Sequence, residues 1–438
     1  MPNPILPLWE YIPDGEPRVF GDRVYIYGSH DRVSCENFCD YKLKVWSAPV
    51  NDLNNWQCHG DSFHTMPDRD HPSDTPWTER ELYAPDVVCN HGKYYLYAYI
   101  LGSKGCVGVS DKPEGPFKLL DKYRYDEADA GDDGIYTDPG VLVDDDGRVY
   151  VYYGFEKSHF NEINGENMCE IVKGSYIEDI IPQGKESADY FEACSPRKIN
   201  GKYYLIYSPR IGSRLDYAIA DKPQGPFKRM GTIVDNGVDY PGGNDHGSVC
   251  CINGQWYVFY HRMTNGSIMS RRACVEKIEI LPDGTIPQVE MTSLGFEDSL
   301  NPYKVTPAEI ACVLKDTCLV TEKDSFTRVV TNIKTGSVIG FKYFDFGEDY
   351  SSKTMEFSAL VTGLGCPAEI HILIDGEDGK EIGVCKTDTH DGEYKAIVEN
   401  VCGRHSVFLK INHPYKDWFS NVFDQRNLFD LISIVFKK

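Results

Sequence analysis

The chain has 438 residues, enough for two or three domains and a large buried core. Its 45 basic and 67 acidic side chains leave a formal net charge of −22, which opposes phosphate backbones and anionic membrane surfaces, so neither nucleic acid nor membrane is expected as a partner. Mean hydropathy is −0.41, and no run approaches the roughly 18 apolar residues that cross a bilayer.

The opening MPNPILPLWEYIPDGEP carries no basic stretch before an apolar run, and Glu10 arrives early, so it does not read as a secretory signal. Fifteen cysteines, an odd number, lie scattered in strand-like runs (Cys89, Cys106, Cys250, Cys251, Cys274) without a CxxC pair. They read as reduced, buried small hydrophobes, and the chain as cytoplasmic.

One pattern then recurs along the chain: glycine, one or two polar residues, and an aromatic and aliphatic strand. It appears as GDRVYIYGS from Gly21, GKYYLYAYI from Gly92, GRVYVYYG from Gly147, GKYYLIYS from Gly201 and GQWYVFYH from Gly254, at spacings of 71, 55, 54 and 53 residues. Each copy follows another strand-like run (PRVF, DVVCN, PGVLVDD, SPRKIN, GSVCCIN), with DDG, NG or HG at most junctions, which predicts a hairpin. SDKPEGPFK from Ser110 and ADKPQGPFK from Ala220 mark equivalent turns later in two units. Five such units predict a five-bladed β-propeller over about residues 1–300. The DDDG at Asp144 reads as a hairpin turn rather than a calcium loop. Beyond a linker near Pro302–Pro307 the repeat stops. Alternating strands (SVIGFKYFDF, TMEFSALVTG, AEIHILID, SVFLKI) then predict a β-sandwich over 304–438, making the whole chain all-β.

In a propeller the first strand of every blade lines the central axis, so residues at its entrance converge however far apart they lie in sequence. Counting back from each repeat glycine gives Asp14, Asp86, Asp138, Glu192 and His246, at 7, 6, 9, 9 and 8 residues. Taken singly, each is an ordinary turn residue. Together they put four carboxylates and an imidazole at one mouth, a costly arrangement without a function for it.

NPILPLWEYIPDGEPRVFGDRVYIYGS, YTDPGVLVDDDGRVYVYYG and YFEACSPRKINGKYYLIYS resemble the first, third and fourth blades of glycoside hydrolase family 43, and YAPDVV and HGSV…WYVFYHR its second and fifth. The resemblance implies a general base at Asp14, a pKa-modulating Asp138 and a general acid at Glu192. It further implies a pocket-wall Asp86, a substrate-site Arg262, and His246 beside an axial ion or water, with a structural Ca2+ on the axis allowed and no cofactor needed for the chemistry. Gly15 stands where the family has proline after the base, which leaves Glu16 as the alternative.

The residue types suit inverting hydrolysis of a glycosidic bond, in which an acid protonates the leaving oxygen while a carboxylate across the sugar activates water. The expected partner is an oligosaccharide or glycoside, with α-L-arabinofuranosidase ahead of β-D-xylosidase and β-D-galactofuranosidase as a further alternative. A non-catalytic sugar-binding propeller is the competing class. Trp77, in the long second-unit insertion, is a candidate for stacking on a sugar face or simply anchors its loop. GSVIGFKYFDFG resembles the carbohydrate-binding sandwiches joined to this family, with Tyr415 and Trp418 as aromatic candidates there, while a purely structural role fits equally well.

Overall fold

The hairpin turns form because both central residues take left-handed backbone at three of the five repeat glycines. His91 and Gly92 have φ of 49° and 74°, Asn200 and Gly201 51° and 78°, Asn253 and Gly254 50° and 82°, as a two-residue type I′ turn requires. In a computed structural model that describes all residues except 34, 132–134, 184–188, 350, 364 and 416–419, these turns open five antiparallel sheets. The first contains β1 (Glu16–Phe20), β2 (Arg23–Gly28), β3 (Lys42–Pro49) and β4 (Gln57–His64), and the second β5 (Leu82–Asn90), β6 (Lys93–Ile100), β7 (Cys106–Ser110) and β8 (Lys118–Lys122). The third contains β9 (Gly140–Val143), β10 (Val149–Tyr153), β11 (His159–Ile163) and β12 (Ile177–Glu178), and the fourth β13 (Tyr190–Ile199), β14 (Lys202–Pro209), β15 (Arg214–Ala220) and β16 (Lys228–Asp235). The fifth contains β17 (Ser248–Ile252), β18 (Gln255–Thr264) and β19 (Ser267–Ile278).

The repeat strands are apolar on both faces because each blade is covered on both. In β10, Val149, Val151 and Tyr153 pack with Val88, Tyr97 and Val107 of blade two, while Tyr150 and Tyr152 pack with Leu205 and Tyr207 of blade four. Blade one shares a core with blade two through Tyr25, Tyr27, Val87 and Leu96, and with blade five through Ile26, Trp46, Phe259 and Val275. Blades four and five meet through Ile206, Tyr217, Val258 and Tyr260, so the ring closes as a five-bladed β-propeller. Its seam is the amino terminus. The Ile5 N–H donates to Ala273 O, and the fully buried Asn3 side chain donates to Val275 O, Glu276 Oε1 and Thr292 O while accepting from the Val275 N–H.

Beyond Thr306 the chain forms two further sheets, a β-sandwich. One runs in the order Leu319–Glu322, Arg328–Thr331, Asp430–Lys437, Thr354–Thr362, Gly392–Glu399, and the other Val313–Leu314, Val338–Asp345, Arg404–Asn412, Glu369–Ile374, Lys380–Lys386. Phe341, Phe344, Phe357, Leu409 and Phe436 fill the space between them, in a core continuous with that of blades four and five. Tyr415 stacks on Phe423 at 4.4 Å, and Trp418 lies outside the described residues.

Replacing Asn3 with alanine strands buried backbone groups of two other segments, each worth about 1–3 kcal/mol if left unpaired. Asn3→Ala is expected to lower the melting temperature by several degrees in calorimetry, and an unchanged transition would show that the seam is held elsewhere.

Candidate active site

At one end of the axis the blade entrances enclose a cavity of about 620 Å3. Asp14, Asp138, Glu192, His246, Asn244 and Arg271 form its polar side, and Phe38, Tyr83, Tyr99, Leu101, Ile135 and Phe155 face it with carbon. Four of the five entrance residues therefore meet. Asp14 and Asp138 sit just ahead of β1 and β9 with φ of 57° and 47°, and Ala193, next to Glu192, has φ 70° inside a bulge of β13. Such backbone is costly and is held by its surroundings. Gly28 provides room for the first of these turns, since a Cβ there would come within 2.3 Å of Pro13 O.

Asp14 is a held anion. Its Oδ1 accepts from Arg271 Nη1 at 2.8 Å and its Oδ2 from Ser29 Oγ at 2.6 Å, while its own N–H points at His261 Nδ1, 3.4 Å away. Burial pushes its pKa up, but Arg271, His246, His261 and Ser29 outweigh that and hold it below the usual aspartate value. Arg271 is held in turn by Asp31, which takes its Nε at 3.0 Å and Nη2 at 2.9 Å. His261 is kept neutral, its pKa pushed down to about 3 by burial and by Arg271. His246 is also shifted towards neutrality by burial, and its Nδ1 lies 3.8 Å from both Asp14 Oδ1 and Asp138 Oδ2. The two carboxylates are thus within twice that distance of each other.

Asp138 and Glu192 behave oppositely. Neither has an arginine or lysine partner among the described residues. Burial, then repulsion from Glu192 and Asp14, raises Asp138 well above the ordinary value; burial, then Asp14, raises Glu192 to about 7. The pair therefore retains a proton near neutrality.

Three expected site residues lie elsewhere, each for a geometric reason. Asp86 does not line the cavity, because the entrance position of β5 belongs to Tyr83, nine residues before Gly92 as Asp138 is before Gly147. Asp86 lies deeper on the axis, where it accepts from Arg18 Nε at 3.0 Å, Arg18 Nη2 at 2.6 Å and the Val141 N–H at 2.7 Å. Arg262 is buried on the opposite face of β18, donating to Thr292 O and Tyr260 Oη and facing the Tyr240 ring at 5.7 Å. Strand alternation assigns His261 to the site and its neighbour Arg262 to the face covered by the sandwich. Trp77 anchors its loop, its Nε1 donating to Ser103 Oγ at 3.1 Å and its ring lying 4.2 Å from Lys122 Nζ. Glu16, the alternative base, is bound by Arg197 Nη2 at 2.5 Å, below the cavity and outside its lining.

Sequence reasoning missed Arg271, Asp31, Ser29 and the aromatic wall. The adjacent arginines of SRRACVEK on β19 were the available signal, since alternation aims one of them at each face.

An ionised carboxylate facing a pair that holds a proton, in a cavity with one polar side and one side of aromatic and aliphatic carbon, is the constellation of a glycoside hydrolase. Residues 1–286 match the model of Glycosyl hydrolases family 43, and the chain belongs to that family. It is 39% identical over 398 residues to a xylosidase/arabinosidase of Thermoclostridium stercorarium, covering 78% of this chain and 82% of that protein. A β-xylosidase/α-arabinofuranosidase from a compost microbial metagenome, solved with xylotriose in a calcium-free form, superposes with a TM-score of 0.55 at 26% identity over 66% of this chain and 99% of its own. An arabinoxylan arabinofuranohydrolase of Bacillus subtilis, solved with cellotetraose, shares the fold over 100% of this chain and 97% of its own, with a TM-score of 0.56 and 23% identity.

A raised carboxyl pKa costs stability as pH climbs from the unfolded value to the folded one, because folding must then take up a proton that the unfolded chain has released. Glu192→Gln removes that cost. It is expected to melt above wild type at pH 8, with the difference vanishing towards pH 5, where Glu192 is itself protonated; equal melting at both pH values would refute the raised pKa.

Proposed function

We propose that this chain is an inverting hydrolase that releases terminal α-L-arabinofuranosyl or β-D-xylosyl residues from oligosaccharides. The observation that carries this reading is the opposite charge states of Asp14 and Glu192 across one cavity. Asp14, ionised by Arg271 and Ser29, takes a proton from water as the water oxygen bonds to the anomeric carbon. Glu192 gives its proton to the glycosidic oxygen as the carbon–oxygen bond breaks, and the two steps leave one free sugar and one free hydroxyl. Asp138 keeps the acid protonated through like-charge repulsion and shared burial. The aromatic wall covers the carbon face of the sugar while Asn244, Thr137 and His246 meet its hydroxyls.

Beneath the cavity the axis is closed by Arg18 on Asp86 and Arg197 on Glu16, which favours binding of a chain end. The pentose preference is supported by the dual names of the Thermoclostridium protein and the compost enzyme. Hydrolysis by these residues needs no cofactor. The axial donors also suit Ca2+ poorly: it takes six to eight oxygens, whereas Asp86, Glu16 and Asp14 are each taken by a guanidinium and His246 offers nitrogen.

The roles separate by leaving group. Both Asp14→Ala and Glu192→Ala are expected to lose about 10^2–10^4 in kcat on natural linkages. On a dinitrophenyl glycoside, whose leaving group needs no proton, Glu192→Ala recovers most of that loss and Asp14→Ala does not. NMR of the first-formed sugar is expected to show the inverted anomer; retention would overturn the assignment of Asp14 as base.

The pH profile follows from the same shifts. Because Glu192 must carry its proton, kcat/KM is expected to fall as pH rises through about 7, while the acid limb, set by Asp14, lies below the ordinary aspartate value. Asp138→Asn removes the like charge and should move the alkaline limb to lower pH. A limb that stays in place would show that Asp138 does not govern the acid.

A further inference from the structure

The loop that leaves blade one gathers a second set of titratable groups, none of which lines the catalytic cavity. One ligand atom each from Asp61, His64 and Asp68 lies within 4.8 Å of the others. In a regular strand, residues three apart point to opposite faces, so Asp61 and His64 of β4 would diverge. A bulge prevents this: Leu43 pairs with Phe63 but Lys44 pairs with Asp61, which inserts one extra residue between the two side chains. Bulges that re-aim a side chain recur at built sites.

Four more contacts hold the group together. The Asp74 carboxylate accepts the His64 N–H at 2.9 Å, Asp68 Oδ1 accepts the N–H groups of Asp70 and His71 at 2.8 Å each, and the His71 ring stacks on that of His64 at 4.8 Å. His64 is only 5% exposed, yet its buried Nε2 has no hydrogen-bond partner. A buried imidazole nitrogen without a partner, beside two carboxylates, has the chemistry of a metal ligand.

We propose that Asp61, His64 and Asp68 bind a borderline divalent cation of the Zn2+ class, with water completing the shell. One nitrogen and two carboxylates suit this class better than Ca2+ or Mg2+, which take oxygen alone. Metal–ligand bonds of about 2.0–2.2 Å need the donors closer together than they now stand. Asp68 is half-exposed, and because its Oδ1 also holds the Asp70 and His71 N–H groups and the His71 ring, closing the shell carries this turn inward with it. Lys42 occupies Asp61 Oδ2 at 3.1 Å and leaves Oδ1 for the ion. The bound cation ties the loop to β4, and the same loop leads through Glu81 to Tyr83 in the cavity wall, so its role is to brace that wall.

The test uses the full chain stripped of metal and dialysed against Zn2+, with bound metal counted by mass spectrometry and melting followed in parallel. Wild type is expected to hold one more equivalent of Zn2+ than Asp68→Asn or His64→Gln, which bind at least tenfold more weakly, and to melt higher with Zn2+ only when the three ligands are intact. Asp68→Asn alters a half-exposed side chain and serves if His64→Gln does not fold. Equal Zn2+ in wild type and Asp68→Asn, as binding by the exposed Cys89 or Cys251 would give, overturns the proposal. So does Ca2+ or Mg2+ binding that survives His64→Gln.

Discussion

Everything at the functional end of this propeller depends on how buried charge is balanced on its axis. The innermost strands and the loops beside them bring at least seven carboxyl groups (Asp14, Glu16, Asp31, Asp86, Asp138, Glu192 and Asp245) into a region with little water, where an unpaired carboxylate is strongly disfavoured. Among the described residues three guanidinium groups answer them. Arg18 takes Asp86, Arg197 takes Glu16, and Arg271 spans Asp14 and Asp31. Asp138, Glu192 and Asp245 are left over among the described residues, and burial raises the pKa of each. The opposite pKa shifts of Asp14 and Glu192 thus follow from which of them an arginine reaches.

That account explains which parts of the site were legible in the sequence. Asp14, Asp138, Glu192 and His246 could be read because each stands at a nearly fixed distance from a repeat glycine, and hairpin geometry turns that distance into height on the axis. Where the distance was shorter, at Asp86, the residue sits deeper and Tyr83 takes the mouth. Arg262 and Trp77 carried no such measure. Arg262 fails by one residue, because the face of β18 that meets blade one carries Tyr257 and Phe259, with His261 in the same alternation, while Val258, Tyr260 and Arg262 turn towards blade four and the sandwich. Arg271 and Asp31 lie on a third strand and a connecting loop, where no repeated residue marks the height, so alternation shows which face they take but not which partner they meet.

The fold was legible for a different reason. Aromatic strands such as VYVYY are apolar at successive positions, which a sheet wet on one side would not tolerate; burial on both faces by neighbouring blades accounts for them without any one contact being decisive. The fifteen free cysteines follow the same logic, since nine of them are buried in these cores or in the sandwich as small apolar groups, while a tenth buried one, Cys39, lies against Arg271.

The two parts of the molecule are joined where the charge count is set. On β19, Arg271 faces Asp14 and Asp31, and the next residue, Arg272, faces away, 3.9 Å from Glu309 and over the Tyr11 ring at 5.6 Å. Tyr11 in turn donates to Glu322 at 2.6 Å, and it lies three residues before Asp14. Both partners of the Arg271–Asp14 pair are therefore carried on segments whose outer sides rest on the sandwich and its approach. A strand end such as the Asn265 turn, free to fray in an isolated blade, is here paired through its N–H to Val320 O at 2.7 Å. The sandwich thus packs behind the strand that supplies Arg271, the one guanidinium within salt-bridge distance of Asp14 among the described residues.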